Sequence, residues 1–410
     1  MIISREINER IINKMNVLEK FLKYVSFETT AMEEKSNSAS NDKILNLAQY
    51  LLLELQKLSP NEISFNRFGV IDAKFYGDKS KKPVAFLAHM DTSPACSGKD
   101  VKPRVVTYEG KPIELQKGMF LSEEQFPYLK ESLGHKIVVT DGNTLLGGDD
   151  KAGIAIIMEA LEEILEGHKD HRPLEIIFTT DEEIGADAKH ISMEIVNSEY
   201  GYTVDGGDYH YCSIESFSAY EMIVDVKGKS IHPGSAKDKM VNASNVLMHF
   251  HAALPEFLRP EHTDGKEPFY HLCSISGTED SSKGEYIIRS FSDAQVEELI
   301  SLAKLTARRI NDSLGYEAIT LTFKEQYHNM KVVLDKHPGI QEEFESVFAQ
   351  LGIPCYYEPI RGGTTGSQLS FMGLPTPNLG TGDYNMHGRY EYVDIDQMSA
   401  MVEVVRLLMK

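Results

Sequence analysis

Histidine and carboxylate side chains follow apolar, strand-like segments at several points of the chain. His89 and Asp91 stand two residues apart after the apolar run Val84–Leu87. Residues two apart on an extended segment face the same side, so Asp91 can hold the imidazole of a metal-bound His89. An ordinary strand end followed by an Asp turn has the same pattern. The motif therefore indicates a metal site only in combination with others.

A second group of acids, Asp149 and Asp150, follows Gly147 and Gly148 and opens an apolar helix. Two adjacent acids at a helix start can cap the first turn and favour the helix dipole. Alternatively, Asp149 is a carboxylate that bridges two cations, and the glycines let the backbone approach closely. Both interpretations stay open at this stage.

Three consecutive acids, Asp181, Glu182 and Glu183, follow a strand predicted over 174–180. Such acids repel one another unless cations or hydrogen-bond donors neutralise them. A solvated loop is the alternative, although the apolar strand before it should be buried. Adjacent glutamates can divide the work, because one can bind metal while the other acts as general base on water.

Three further motifs extend the set. Asp205 follows the strand-like GYTV and precedes two glycines, His387 lies in the loop N-M-H-G, and Arg361 lies in R-G-G-T, where a guanidinium can clamp a carboxylate. Two histidines and three carboxylates suit two co-catalytic zinc ions that share a bridging carboxylate; the set is His89, Asp149, Glu183, Asp205 and His387. Glu182 and Asp91 are then left as base and orienting acid.

The elements that must position these residues alternate between strand and helix. Apolar periodicity predicts helices over 4–26, 42–58 and 151–166, and strands over 69–77, 83–89, 136–140 and 174–180. This order is typical of an α/β layer with a mostly parallel sheet. The segment 93–135 lacks clear periodicity, and we expect it to form excursions over one edge.

The pattern changes near residue 216. Strands and helices then follow in the order β-α-β-β-α-β, the ferredoxin-like split motif; they are predicted at 219–228, 239–254, 269–277, 286–291, 293–313 and 319–327. The α/β pattern resumes after 330 and ends in a helix over 394–409. We therefore predict a catalytic domain made of 1–215 and 329–410, interrupted by an inserted domain over 216–328 that acts as a lid or dimerisation module.

Composition narrows the partners. The 410 residues include 42 Lys and Arg against 62 Asp and Glu, a formal net charge of −20, which disfavours nucleic acids and anionic membranes. No apolar run reaches the ~18–20 residues that span a bilayer, and the N-terminus lacks the apolar stretch of a signal peptide. The four cysteines are scattered without a C-x-x-C pair. We therefore expect a cytoplasmic protein with neither a nucleic-acid nor a membrane partner.

These motifs resemble those of the co-catalytic dizinc aminopeptidases and deacylases, and within that family those of the tripeptide aminopeptidases. The likeness covers nearly the whole chain, in AHMDT, TLLGGDDKAGIA, DEEIGADAKH, YTVDGG, YIIRSF, RGGTTGSQLSFMGLPTPN and YNMHG-x-YE. It implies a zinc-exopeptidase-like catalytic domain with a mostly parallel sheet and an inserted ferredoxin-like α+β lid. It also implies a small peptide substrate, a homodimer through the lid, and two Zn²⁺ per subunit, although Mn²⁺ or Co²⁺ would suit the same ligands.

The resemblance further implies a role for each matching residue. The zinc ligands would be His89, Asp149, Glu183, Asp205 and His387, with Asp149 bridging and a non-proline cis peptide bond after it. Asp91 would be the catalytic acid that fixes His89, and Glu182 the general base. Substrate would be bound by His232 at the oxyanion and by Arg361 at the C-terminal carboxylate, with Arg289 and Asn329 as weaker candidates.

Two departures from the family pattern bear on selectivity. The usual R-G-G-T-D-G reads R-G-G-T-T-G here, with Thr365 in place of an acid, and Asp208–Cys212 differs from the usual glycine-rich continuation. The expected activity is removal of the N-terminal residue from tripeptides by a water that bridges the two metals. A related dipeptidase or N-acyl amino acid deacylase is the alternative. A non-catalytic binding or scaffold relative is a third, which the complete set of ligands and base disfavours.

Overall fold

The structure is a computed structural model that describes residues 15–166 and 170–410. The strands of this part of the chain are β1 (Glu62–Phe65), β2 (Ile71–Phe75), β3 (Val84–His89), β4 (Arg104–Thr107), β5 (Ile113–Gln116), β6 (Met119–Leu121), β7 (Lys136–Val139), β8 (Leu174–Thr179), β9 (Tyr200–Val204), β10 (Tyr211–Ser213), β11 (Ser218–Lys227), β12 (Phe269–Gly277), β13 (Ser281–Ser290), β14 (Ile319–Tyr327), β15 (Tyr356–Tyr357), β16 (Asn378–Leu379), β17 (Asp383–Tyr384) and β18 (Tyr392–Asp394).

The α-helices of the same residues are α1 (Val17–Val25), α2 (Ile44–Lys57), α3 (Gly148–Glu166), α4 (Ala243–Ala253), α5 (Asp293–Leu314), α6 (Lys331–Leu334), α7 (Pro338–Leu351), α8 (Thr365–Phe371) and α9 (Ile395–Leu408). The first predicted helix, over 4–26, lies partly outside the described residues, and its described part is α1. Among the helices described, none combines the length and the apolarity needed to cross a bilayer.

The chain divides into two compact units. The first unit contains the chain up to Ser213 together with 333–357 and 369–410, and the second contains 214–332 and 358–368. The short segment 358–368 packs with the second unit because Ile360 pairs with Ser216, and the Arg361 guanidinium lies 5.2 Å from the centre of the Phe217 ring.

An eight-stranded sheet is the centre of the first unit. Its order is β1-β2-β8-β3-β9-β16-β10-β15. The four strands β8, β3, β9 and β16 are parallel to one another, whereas β1, β2 and β10 introduce antiparallel pairs on either side. Strands β3, β8 and β9 are buried along their whole length, as parallel strands covered on both faces must be. The predicted α/β class is confirmed, with a sheet that is mixed rather than uniformly parallel.

A separate antiparallel sheet, of order β17-β18-β7-β4, also belongs to the first unit. The sequence placed β7 in the parallel layer, and this prediction was wrong. Strand β7 instead pairs with β18 and with β4, which lies inside the segment that showed no periodicity. Strand β4 is an edge strand that is mostly exposed, so it lacks the apolar alternation that would have revealed it.

The second unit has the predicted ferredoxin-like order, β11-α4-β12-β13-α5-β14, with a four-stranded antiparallel sheet of order β12-β13-β11-β14. Alternate residues of β11, including Met222 and Val224, form a core with apolar residues of both helices. Local signals set the helix ends: the Ser292 side chain accepts from the Gln295 N–H at the start of α5, and Gly315 ends that helix in a left-handed conformation.

Candidate metal centre

Three neighbouring parallel strands of the first unit bring predicted site residues to one edge of the sheet. His89 is the last residue of β3, Glu182 and Glu183 begin a short 3₁₀ turn after β8, and Asp205 directly follows β9. Strand β3 lies between β8 and β9 and is parallel to both. Carboxyl ends of parallel strands share one edge of a sheet, which explains why motifs far apart in sequence converge here.

The Asp149 carboxylate lies between the two histidines. Its Oδ1 is 2.8 Å from His89 Nε2, and its Oδ2 is 3.0 Å from His387 Nε2. Asp149 has non-helical backbone angles at the start of α3, and the Asp149–Asp150 peptide bond is cis, as the resemblance predicted. A carboxylate with each oxygen directed at a different imidazole has the arrangement that a bridging ligand needs.

One further carboxylate accompanies each histidine. Glu183 Oε2 lies 3.1 Å from His387 Nε2, and Asp205 Oδ1 lies 3.6 Å from His89 Nε2. The donors thus form two groups that share Asp149. The second oxygen of Glu183, Oε1, is buried without a hydrogen-bond partner. Imidazole and carboxylate groups together with an unpartnered buried oxygen fit divalent metal binding.

The protein's own charges leave this cluster strongly acidic. Burial raises the pKa of Glu183 and of Asp205. Burial would also raise the pKa of Asp149, but hydrogen bonds from His387 and His89 hold it well below its usual range. Contacts with Asp149 and then Glu183 raise the pKa of His387 to about 10. Acids outnumber the imidazoles in this cluster, a setting that divalent cations would neutralise.

Asp91 ties the end of β3 to the turn after β8. Its carboxylate is fully buried and accepts the N–H groups of Glu182 at 3.1 Å and Glu183 at 3.0 Å. Asp91 Oδ1 is also 3.6 Å from His89 Nδ1, while the Asp91 carbonyl oxygen is 3.1 Å from the same nitrogen. Asp91 therefore holds the backbone of both glutamates and one side of the His89 ring. Burial raises the pKa of Glu182 well above its usual range.

The sequence assigned no separate role to Asp150, whose buried side chain supports the same centre. Asp150 Oδ1 accepts the Gly153 N–H at 3.1 Å in the manner of a helix cap, and its Oδ2 accepts the His89 N–H at 3.3 Å. Asp150 thus caps the helix, while the carboxylate of Asp149 faces the two histidines. Their adjacency hid this division, because either acid could have capped the helix.

The four predicted substrate-binding residues all belong to the second unit. Arg361 uses its guanidinium within that unit, donating to the Gly265 carbonyl at 2.6 Å and to Thr263 Oγ1 at 3.0 Å. Asn329 is buried, and its side chain hydrogen-bonds to two backbone groups. Its Oδ1 accepts from the Ser216 N–H, and its amide donates to the Phe291 carbonyl.

The other two candidates are differently placed. Arg289 donates to the Ile288 carbonyl at 3.1 Å and lies over the Tyr327 ring, 5.4 Å from its centre. His232 is exposed, and its Nδ1 accepts the Gly234 N–H at 3.2 Å. His232 is therefore the freest of the four to contact a ligand.

Imidazole and carboxylate side chains at the carboxyl edge of an α/β sheet, with a buried acid beside them, define a metal-dependent hydrolase. The model of Peptidase family M20/M25/M40 matches residues 133–410. The chain belongs to this family, and it is a metal-dependent peptide hydrolase.

Relatives extend the match to nearly the whole chain. Peptidase T of Caldanaerobacter subterraneus is 40% identical over 395 residues, which cover 95% of this chain and 97% of that protein. Peptidase T of Clostridium novyi is 40% identical over 396 residues, with 95% and 97% covered. The predicted resemblance to tripeptide aminopeptidases is confirmed by these relatives.

Known structures share the fold. Aminopeptidase PepT from Bacillus cereus superposes with a TM-score of 0.75 at 20% identity, covering 96% of this chain and 97% of that one. A tripeptidase from Staphylococcus aureus gives a TM-score of 0.77 at 19% identity, with 96% and 97% covered. An aminoacylhistidine dipeptidase from Vibrio alginolyticus is less similar, with a TM-score of 0.62 at 13% identity over 96% of both chains.

Proposed function

We propose that this enzyme is an aminotripeptidase that removes the N-terminal residue from tripeptides with two Zn²⁺ per subunit. The observation that carries the proposal is the Asp149 carboxylate, whose two oxygens face His89 and His387 separately. The names of the relatives, peptidase T and tripeptidase, support the tripeptide substrate. We place the enzyme in the cytoplasm, as its scattered cysteines suggest, and the homodimer through the inserted unit stays a prediction.

The proposed ligands divide into two groups around Asp149. His89 and Asp205 would hold one ion, His387 and Glu183 would hold the other, and Asp149 would bind both. When bound, the ions would polarise the scissile carbonyl and make a water molecule more acidic. The imidazole and carboxylate donors also suit Mn²⁺ or Co²⁺, so zinc is our proposal on ligand type.

Glu182 supplies the proton transfers in this proposal. Burial raises the pKa of Glu182, which makes its carboxylate a stronger base toward the attacking water. The same carboxyl group then donates that proton to the leaving amine. Asp91 keeps Glu182 in place by accepting a hydrogen bond from the Glu182 N–H. Proton transfer by Glu182 therefore depends on a fixed backbone.

Substrate selection is assigned to residues of the second unit. We propose that His232 contacts the oxyanion and that Arg361 contacts the substrate's C-terminal carboxylate, with Arg289 and Asn329 in weaker supporting roles. The Arg361 guanidinium donates to carbonyls of the segment 263–267, so carboxylate binding would have to use or replace these bonds. A C-terminally amidated tripeptide should therefore be cleaved more slowly than the free acid, and equal rates would reject the role of Arg361.

The decisive experiment compares peptides of matched sequence on one metal-analysed sample. Free tripeptides should give the highest kcat/KM, with dipeptides, tetrapeptides and N-acetylated tripeptides well below them. Two equivalents of zinc should accompany full activity. Preference for an N-acylated amino acid would favour the deacylase alternative, and preference for dipeptides the dipeptidase. Absence of both metal and hydrolysis would favour a binding relative.

A further inference from the structure

Glu391 is a buried carboxylate that binds a whole stretch of backbone beside the metal centre. Its Oε2 accepts the N–H groups of Leu146 at 2.5 Å and Gly147 at 2.9 Å. Its Oε1 accepts those of Gly148 at 2.7 Å and Asp149 at 3.3 Å. The side chain has about 1% of its surface exposed. Four consecutive N–H groups therefore converge on one carboxylate, which is how backbone concavities bind anions.

The bound segment has little freedom to adopt another course. Gly147 has a φ of +82°, a left-handed conformation that glycine tolerates best. A Cβ at Gly148 would lie 2.6 Å from both Asp383 Oδ1 and Val393 Cγ2, so the backbone presses directly on the β17–β18 hairpin. Contacts with the β17–β18 hairpin and with Glu391 thus set the backbone conformation that presents Asp149. Glu391 makes most of the hydrogen bonds of this backbone segment.

Glu391 also belongs to the loop that carries the second histidine. It lies four residues after His387, and its own N–H donates to the Gly388 carbonyl at 3.3 Å. The Glu391 side chain consequently links the segment that carries Asp149 to the segment that carries His387. Glu391 and Asp149 are 242 residues apart in the sequence. At the site itself, Asp149 Oδ2 lies 3.0 Å from His387 Nε2.

We propose that Glu391 is a positioning residue that sets the geometry of the metal centre by fixing Asp149 relative to His387. The inference rests on the proposed metal site, and it adds a residue to which the family resemblance gave no role. Glu391 does not face the substrate in this proposal. Its effect should appear in metal affinity and in the coordination geometry of the bound ion, before any effect on substrate binding.

The test compares Glu391→Gln with a matched control, Glu175→Gln. Glu175 is equally buried in the first unit and accepts the N–H groups of Asn197 and Ser198, so its loss should cost stability alone. Zn²⁺ affinity by competition with a chelating dye should fall about 10–100-fold in Glu391→Gln and stay unchanged in Glu175→Gln. The absorption bands of bound Co²⁺ should shift only in Glu391→Gln.

The outcomes separate the two proposals. If the native protein binds no divalent metal, the proposed function fails. If the native protein binds metal and Glu391→Gln binds it with equal affinity and an equal Co²⁺ spectrum, only the role of Glu391 fails. Should Glu391→Gln not fold, Glu391→Asp keeps the charge but shortens the reach, and unchanged metal affinity in that variant overturns the inference.

A second, independent observation concerns two thiols of the first unit. Cys212 lies on β10 and Cys355 immediately precedes β15, and the two strands pair in parallel. The Sγ atoms are 3.5 Å apart, with Cys212 buried and Cys355 partly exposed. Contact with the Cys212 thiol lowers the pKa of Cys355, and the same contact raises the pKa of Cys212 well above its usual range. Cys355 is thus the accessible and more nucleophilic partner.

We infer that Cys212 and Cys355 form a modification site that small-molecule disulfides oxidise to an intramolecular disulfide. The Cys355 thiolate attacks the small disulfide, forms a mixed disulfide and releases one small thiolate, which takes a proton. The deprotonated Cys212 sulfur then attacks Cys355 Sγ and releases the second small thiol. Two protein thiols are oxidised, and one small disulfide is reduced to two thiols.

The position of the pair gives the cross-link a structural meaning. Cys212 and Cys355 precede, by one and two residues, the last residues of the first unit at Ser213 and Tyr357, after which the chain enters the second unit. The new bond would therefore join, within the first unit, two of the four segments that lead to or from the second unit. Its formation needs no contribution from Cys96 or Cys273.

The test is incubation of the native enzyme with oxidised glutathione, followed by mass spectrometry and peptide mapping. We expect the loss of two hydrogens, a peptide that links Cys212 to Cys355, and the same product in the double variant with Cys96→Ser and Cys273→Ser. Cys212→Ser should instead stop at the mixed disulfide on Cys355. A lasting glutathione adduct in the native protein, a cross-link through Cys273, or no reaction would each overturn the inference.

Discussion

The two ends of strand β8 bury acids in opposite ways. Near its start, Glu175 lies 3.7 Å from the Lys74 ammonium and accepts the N–H groups of Asn197 and Ser198. Beyond its end, Glu183 has an unpartnered buried oxygen, and the His387 imidazole lies in contact with its carboxylate. The protein itself thus provides Glu175 with a cationic partner and hydrogen-bond donors. Glu183, a proposed metal ligand, keeps an oxygen that a bound ion would contact.

Asp72 adds a third solution at the first of these ends. Its two oxygens are buried without hydrogen-bond partners, and burial, followed by the charge of Glu175, raises its pKa to about 7. The protein thus tolerates this acid by keeping it protonated below neutrality. The acids beyond the end of β8 repel one another in the same way. There the histidines supply further ligands, so a bound cation would relieve the repulsion.

The largest expected difference between the two ends is catalytic. Glu182→Gln should lower kcat by about 10²–10⁴-fold while both metals stay bound, because the amide cannot accept the proton of the attacking water. Glu175→Gln, at the other end of β8, should retain the kcat of the native enzyme. Steady-state kinetics with metal analysis checks both. Metal loss in Glu182→Gln would mark this residue as a ligand rather than the base.

Removal of the metals should destabilise the protein through the end of β8 that carries the proposed metal ligands. With free metal at ~1,000 times its Kd, binding contributes about 4 kcal/mol to the free energy of unfolding. Dialysis against a chelator should therefore abolish activity and lower Tm, and added Zn²⁺ should restore both. Glu175→Gln should lose the same increment. An unchanged Tm on chelation would mean that the acids of this end are balanced without an ion.

Removal of the cation at the other end tests its internal balance. Lys74→Met should lower the free energy of unfolding by about 3 kcal/mol, because the buried Glu175 carboxylate loses its ammonium partner. Kinetic constants per folded molecule should not change. Lys82→Met, which breaks an exposed pair with Glu199, serves as control and should cost less than about 1 kcal/mol. Urea unfolding measures both, and equal effects would refute the internal balance.

The smallest expected effect is a pH dependence of stability. The folded-state pKa of Asp72, about 7, lies above the unfolded value of roughly 4, so the folded state holds an extra proton between these limits. Stability contributed by this group therefore falls as pH rises through the window. Asp72→Asn should remove that slope and become more stable relative to the native protein as pH rises above 7. Parallel stability curves for both proteins from pH 5 to 8 would contradict the assignment.

Local chemistry made much of the fold readable in advance. The caps that begin α5 and end it, Ser292 and Gly315, lie where the sequence predicted that helix. The apolar runs of β3 and β8 indicated buried parallel strands because no face of them is polar. By contrast, β7 has the same apolar character but belongs to a different sheet. Composition shows that a strand is buried and cannot show against what.

The candidate site divides in the same way. His89, Asp149, Glu183, Asp205 and His387 were predicted from motif and resemblance, and the structure brings all five together in the first unit. The support beneath them was not predicted: nothing near Glu391 in sequence indicates that it binds the N–H groups of Leu146 and its neighbours, up to 245 residues away. A carboxylate acquires such a role only when folding removes it from water.

The sequence by itself determined the type of the long periodic elements, the ferredoxin-like order and the candidate ligands, because periodicity, caps and strand-end motifs depend on residues close together in the chain. Tertiary structure alone decided that Asp150 caps α3 while Asp149 faces the histidines, and that Glu391 binds the segment before them. It also decided that the donors of Arg361 are engaged within the second unit. These outcomes depend on which buried groups meet across hundreds of residues, and only the folded chain specifies those contacts.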